Sequence, residues 1–352
     1  MTAAIRVVVV EASPIQRTRL ITVLERTRDI TVVGEVHTAG QAADVVARLR
    51  PDVVLLDLQI DDGGDRSALA QTMASTPTPV VVLSSSDGHP DSVLVAQALA
   101  AGAVLALPRP GRWTPEAEDE LRRGVRTASR VRVRSPRRVG AMNGTSTTVP
   151  TTPPDTRPGS PRGVRSIVAI GASTGGPGAL ATVLGGLGGL TAPVLVVQHM
   201  HADFVAGLVQ WMARVSALPV ELAAAGQVVR PGRVYIGPGG AHLRVRPGLR
   251  LELDPEPMSV HRPSVDELFR SVAELPRVAS IAVVLTGMGD DGARGLLQVR
   301  RQGGRTIAQD EATSAVFGMP RAAFRLGAAD FVLPLPKIAA RILTLAREVA
   351  VP

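Results

Sequence analysis

The sequence predicts two α/β domains built on parallel sheets and joined by an irregular basic segment. Three observations carry this prediction. Short β-branched runs alternate with helix-forming stretches in both halves of the chain. Polar side chains recur at the carboxyl ends of those runs, which is where parallel sheets place their sites. Between the halves, residues 127–165 hold Arg, Pro, Ser, Thr and Gly without apolar periodicity, the composition of a linker. The boundaries expected are therefore 1–126, 127–165 and 166–352.

Composition narrows the function. A chain of 352 residues with 45% hydrophobic content can fill two cores. It contains no cysteine, which excludes disulfides, thiolate metal sites and cysteine nucleophiles and suits a reducing cytoplasm. The opening MTAAIRVVVVEAS is too short in its apolar run, and meets an acid too soon, for a signal peptide. No apolar run reaches the ~18 residues of a membrane span, so no membrane insertion is expected. The net charge is +8, yet eleven arginines and one acid, Asp155, lie between Arg122 and Arg165. That segment carries +10 and the rest of the chain −2, so the basic character sits in a stretch that does not read as folded. For residues 127–165 a solvated spacer is favoured over a docking or polyanion-binding tether. Aromatics make up only 2%; no stacking platform for bases is expected, and no nucleic-acid partner.

In the first half, Ile5–Val10, Ile30–Val36, Val53–Asp57, Pro79–Ser84 and Val104–Leu107 read as strands, with helical spacing over Pro14–Arg26 and Gly40–Leu49. Five short apolar strands alternating with helices imply a parallel sheet covered on both faces. This half resembles a response-regulator receiver domain, which implies a flavodoxin-like fold. On that resemblance Asp57, in VVLLDLQI, falls at the phospho-accepting aspartate, and Ser84, in VVVLSSS, at the switch hydroxyl. The family holds Mg²⁺ with two adjacent acids after the first strand; here Glu11 is followed by Ala12. The family's lysine before a proline is Arg109. A compact hard cation needs close oxygen ligands, and an arginine fork is not a lysine point charge. Glu11 and Asp57 make at best a weak Mg²⁺ site, and weak or absent Mg²⁺-dependent phosphorylation of Asp57 is expected.

The second half opens on IVAIGASTGGPGAL, Ile167 to Leu180. An apolar strand turns through Gly171-Ala172-Ser173-Thr174-Gly175-Gly176 into a helix that starts at Pro177. A G-x-S-x-G turn of this kind lifts a serine hydroxyl toward a ligand, and a glycine-rich turn at a helix start also suits a phosphate. Val194–Val197 reads as a strand ending in Gln198-His199-Met200-His201, and Ser280–Leu285 as one ending in Thr286-Gly287-Met288-Gly289-Asp290-Asp291-Gly292. Three strand ends thus deliver Ser173, His199 and Asp291. A serine needs a base within hydrogen-bond reach, histidine is the natural base near neutral pH, and a carboxylate fixes its tautomer. Each also has a plainer reading: a capping serine, a buried structural histidine with His201 as competitor, and an aspartate pair, Asp290 and Asp291, that caps a helix or binds a metal. A catalytically silent binding module and a nucleotide-binding enzyme remain open, although the stretch lacks both G-x-G-x-x-G and the lysine of a phosphate loop.

GASTGGPGAL, VVQHM, GRVYIGPGGAHL, RPSVDELFRSVA, VLTGMGDDGARGL and AQDEATSAVFGMPRAA together resemble the catalytic domain of the chemotaxis protein-glutamate methylesterases, the CheB family. The resemblance covers the whole second half and implies a doubly wound α/β fold. It implies Ser173 as nucleophile, His199 as base and Asp291 as orienting acid. It also implies the Met288 backbone N–H as an oxyanion donor and the Thr174 hydroxyl as a support for the histidine. The activity implied is hydrolysis of glutamate methyl esters on chemoreceptors and deamidation of particular glutamines, with no cofactor for catalysis. The partners implied are the cytoplasmic domains of methyl-accepting chemoreceptors and a chemotaxis histidine kinase.

Overall fold

The computed structural model describes residues 3–60, 67–85, 89–131, 133, 164–257 and 261–350. The first domain runs β1 (Ile5–Val10), α1 (Pro14–Glu25), β2 (Ile30–Val36), α2 (Ala39–Leu49), β3 (Val53–Asp57), α3 (Ala68–Ser75), β4 (Val80–Ser85), α4 (His89–Ala100), β5 (Leu105–Arg109) and α5 (Pro115–Ser129). Its sheet is all parallel, in the order β2-β1-β3-β4-β5. Successive side chains of a strand point to opposite faces. Val7 and Val9 accordingly pack with α1 and α5, and Val8 and Val10 with α2, α3 and α4. Both faces are covered, which is why these strands read as continuous apolar runs.

The second domain contains β6 (Ser166–Ala172), α6 (Gly176–Gly185), β7 (Val194–Gln198), α7 (Ala202–Val215), β8 (Val220–Leu222), β9 (Val234–Ile236), β10 (His242–Arg246) and β11 (Arg250–Asp254). It continues with α8 (Val265–Ala273), β12 (Ala279–Val284), α9 (Ala293–Arg301), β13 (Arg305–Gln309), α10 (Met319–Arg325), β14 (Phe331–Leu333) and α11 (Leu335–Ala350). Seven parallel strands are ordered β14-β13-β12-β6-β7-β9-β8, and β10 and β11 form an antiparallel hairpin. All of β6 is buried: Val168, Ile170 and Ala172 face α6, α7 and α11, while Ile167 and Ala169 face α8, α9 and α10. Fully burying a side chain such as Ile167 contributes roughly 1.5–3 kcal/mol. At Gly171 an added Cβ would lie 2.1 Å from Val265, so α8 presses directly on this strand.

The helix that closes the first domain extends past the expected boundary at residue 126. α5 runs to Ser129 and Val131 is buried beyond it. Its apolar stripe, Leu121, Val125 and Ala128, was masked in the sequence by arginines that are paired in the fold. Arg122 is buried, donates to the Val23 carbonyl (2.9 Å) and meets Glu118 and Asp119, while Arg126 pairs with Asp29. Most of the expected linker, residue 132 and residues 134–163, lies outside the described residues.

The two domains meet through helices. α4 packs along α7 and against α6. Ala96 of α4 belongs to the apolar cluster of α6 and α7, and Phe204 of α7 to the cluster of α2, α3 and α4. Gly178 of α6 allows close approach to the Ala100 carbonyl, 3.2 Å from where a Cβ would stand.

Candidate active site

The site lies where strand order reverses, between β12 and β6, at the carboxyl edge of the large sheet. Ser173 follows β6 directly and His199 follows β7. Their predecessors Ala172 and Gln198 are register partners. Ser173 and His199 are thus the next positions on neighbouring strands, which run ~4.8 Å apart. The His199 N–H donates to the Ala172 carbonyl (2.9 Å).

The serine turn is held at three points. The Ser173 N–H donates to the Thr286 carbonyl (3.0 Å), and the Ser173 carbonyl accepts from the Gly176 N–H and from Gln198 Nε2, both at 2.8 Å. Gln198 Nε2 also donates to the His199 carbonyl (2.9 Å), so one buried amide ties nucleophile turn and base together. Gly175 sits at φ 75°, a left-handed conformation that favours glycine. Across the turn stands Gly287, where a Cβ would lie 2.6 Å from Ser173 Cβ and 2.3 Å from the Met319 sulfur.

His199 Nε2 is 2.8 Å from Asp291 Oδ2. The same oxygen accepts the Val265 N–H (2.7 Å). Oδ1 accepts the Ser264 hydroxyl (2.8 Å) and the N–H groups of Asp266 and Gly292, both at 3.0 Å. Ser264 caps α8, so the carboxylate rests on a helix N-terminus that favours negative charge. Burial pushes the Asp291 carboxyl upward, but the His199 hydrogen bond and charge, with the N–H groups of Asp266 and Val265, outweigh it and hold it well below the usual range. An ionised Asp291 can only accept, so Nε2 carries the proton and Nδ1 holds the free lone pair. Nδ1 is buried and has no partner among the described residues.

Asp291, not Asp290, reaches the histidine; Asp290 is exposed. His201 faces away as the cap of α7, accepting the Asp203 N–H (3.4 Å). Among the described residues no hydrogen bond joins the Ser173 hydroxyl to His199, a contact that commonly closes only with substrate bound. Among the described residues the Thr174 hydroxyl makes no hydrogen bond to His199, and its carbonyl accepts the Thr286 hydroxyl (2.9 Å). The Met288 N–H donates to no group among the described residues, which leaves it available to a ligand.

Three supporting residues had no signal in the sequence. Gln198 is described above. His261 stacks on His199 with centroids 4.1 Å apart and planes 12° from parallel. Burial first, then the charge of His199, depresses its pKa. His242 is wholly buried; Nδ1 accepts the Ser264 N–H (3.1 Å) and Nε2 is 2.9 Å from the Pro257 carbonyl. It thereby fixes the serine that holds Asp291.

The chain matches the family model "CheB methylesterase" over residues 168–342 and "Response regulator receiver domain" over 7–113. It is 41% identical to protein-glutamate methylesterase/protein-glutamine glutaminase 3 of Anaeromyxobacter dehalogenans, over 96% of this chain and 98% of that one. The chain belongs to the CheB methylesterase family. Another such relative, enzyme 1 of Caulobacter vibrioides, is 39% identical over 98% of each chain. The crystal structure of the Thermotoga maritima CheB methylesterase catalytic domain superposes with a TM-score of 0.50 and 41% identity, covering 51% of this chain and 98% of that one.

In this CheB-family chain the receiver domain presents a second polar cluster. Glu11 follows β1, Asp57 ends β3 and Arg109 ends β5. Arg109 Nη2 is 3.2 Å from Glu11 Oε2 and also contacts Asp57 Oδ2. Ser84, on β4, is buried beside them. Burial chiefly, joined by the nearby Asp57 charge, raises the Glu11 pKa despite Ser13 and Arg109. Met288 and Val316 of the catalytic domain pack on the receiver's apolar cluster that includes Leu83 and Leu107. Among the described residues no helix is long and apolar enough to cross a membrane.

Proposed function

We propose that this chain hydrolyses the γ-glutamyl methyl esters of chemoreceptor cytoplasmic domains, releasing methanol, and deamidates particular receptor glutamines with release of ammonia. The reading rests above all on the buried, unpartnered Nδ1 of a histidine whose other nitrogen is fixed by Asp291. Ser173 Oγ attacks the ester carbonyl carbon while His199 Nδ1 takes its proton. The carbonyl oxygen becomes an oxyanion, which the Met288 N–H meets; one such donor is typically worth about 10²–10³ in rate. The imidazolium forms against Asp291, which stays ionised and holds the ring's tautomer. His199 then protonates the departing methoxide as the C–O bond breaks, leaving an acyl-Ser173. Water, deprotonated by His199, attacks the acyl carbon and returns free Ser173 and a glutamate carboxylate. With a glutamine substrate the leaving group is ammonia and the remaining steps are the same. Only serine, imidazole, carboxylate and backbone donors take part. The substrate helices are cytoplasmic in this reading, in accord with a chain that has no cysteine.

Ser173→Ala tests it. Methanol release from methylated receptor should fall by several orders of magnitude, with circular dichroism and melting temperature unchanged. Release at the unaltered chain's rate overturns the assignment.

A further inference from the structure

The receiver cluster does not fit the Mg²⁺ ion that a receiver domain implies. Mg²⁺ demands near-octahedral oxygen ligands at ~2.0–2.1 Å. Ala12 supplies no side-chain oxygen beside Glu11. Among the described residues the remaining carboxylate oxygens already have partners: Glu11 Oε1 accepts the Ser13 N–H (2.8 Å), Asp57 Oδ1 accepts the Gln59 N–H (3.1 Å), and Arg109 holds both Glu11 Oε2 and Asp57 Oδ2. Glu11 is 2% exposed, Asp57 3% and the Arg109 side chain 16%. A guanidinium keeps its charge at every relevant pH. It bridges two buried carboxylates that are expensive to leave unpaired, offsetting one of their two charges, and it repels a divalent ion from the same space. Lysine, a compact point charge on a flexible stem, would not span both acids in this way.

We propose that Arg109 is a built-in counter-ion that takes the place of a divalent cation between Glu11 and Asp57, so that the receiver holds one charge state and does not accept a phosphoryl group. Asp57 Oδ2, an oxygen that an acyl phosphate would have to use, is bound to the guanidinium. No metal is available to neutralise the oxygens of an incoming phosphodonor. β5 joins this lock to the catalytic domain: Arg109 ends the strand, and Leu107 belongs to the cluster on which Met288 and Val316 rest. The receiver's hold on the catalytic loop is therefore set by packing and not released by phosphoryl transfer. This concerns control and stands apart from the esterase reading, because its readouts are metal and phosphate.

The test uses the full chain. MgCl₂ is titrated calorimetrically, and the chain is incubated with phosphoramidate and Mg²⁺ before intact-mass measurement. The expected result is no saturable heat and no added phosphoryl mass. The paired variant Ala12→Asp with Arg109→Lys should gain both, and lose the phosphoryl mass again on adding Asp57→Asn. If that variant does not fold, Arg109→Lys alone should gain a melting temperature that rises with Mg²⁺. Saturable sub-millimolar Mg²⁺ binding by the unaltered chain, or a phosphoryl group mapped to its Asp57, overturns the proposal. A folded variant that gains no Mg²⁺ binding overturns the role of Arg109.

Discussion

Asp291 receives four donors besides His199, and every one comes from residues 264–266 or from Gly292. The carboxylate is thus held ionised well below the usual carboxylate range, and the sign of its pH effect follows. Its folded pKa lies below the ordinary 3.8, so its contribution to stability is complete above that value and is lost as pH falls through the folded value. Urea unfolding of the chain and of Asp291→Asn, measured from neutral pH down to about pH 2, should show the unaltered chain losing this increment only below about pH 4. The variant should lack that part of the slope. Ser173, His199 and Asp291 were legible in the sequence because each follows a strand at a polar turn. Gln198, His242 and His261 were not. They act through tertiary contacts, such as an amide linking two strand ends or a ring stacked across a loop, and no local spacing encodes these.

At the scale of elements, strands such as β1, β3, β6, β7 and β12 were legible because burial on both sides leaves an uninterrupted apolar run, whereas the three-residue β9, though buried, was too short to stand out. β14, three residues at a sheet edge and partly exposed, gave no such run. The helical nature of residues 122–129 was hidden by arginines, one paired with Glu118 a turn earlier on α5 and one with Asp29, far away in the chain beside α1. The loop after β12 was legible as glycine-rich, but the reason for its glycines is spatial. Gly287 lets the loop lie against Ser173 and Met319. Gly287→Ala forces a Cβ into both, and overpacking of this kind costs roughly 1–3 kcal/mol. The expected outcome is a lowered melting temperature together with at least a tenfold loss of kcat in methanol release, because the same shift displaces Met288. An alanine variant with full kcat would show that the loop's approach to the serine does not matter for the reaction.

For the molecule as a whole, two α/β domains on parallel sheets were predictable, whereas the strand order of the large sheet, the β10-β11 hairpin and the packing of the domains on each other were not. An apolar helix such as α4 reads simply as buried, and its sequence does not say in which domain. In the fold it is buried in both: Val95, Ala98 and Leu99 sit in the receiver's core and Ala96 in the catalytic domain's, while Phe204 of α7 enters the receiver's core in return. The receiver consequently lies against α6 and α7, the helices that follow Ser173 and His199, and against Met288. Cores that exchange side chains do not melt independently. Differential scanning calorimetry should give one cooperative transition for the full chain, with calorimetric and van't Hoff enthalpies that agree. Charging the shared seam with Ala96→Asp should split that transition in two.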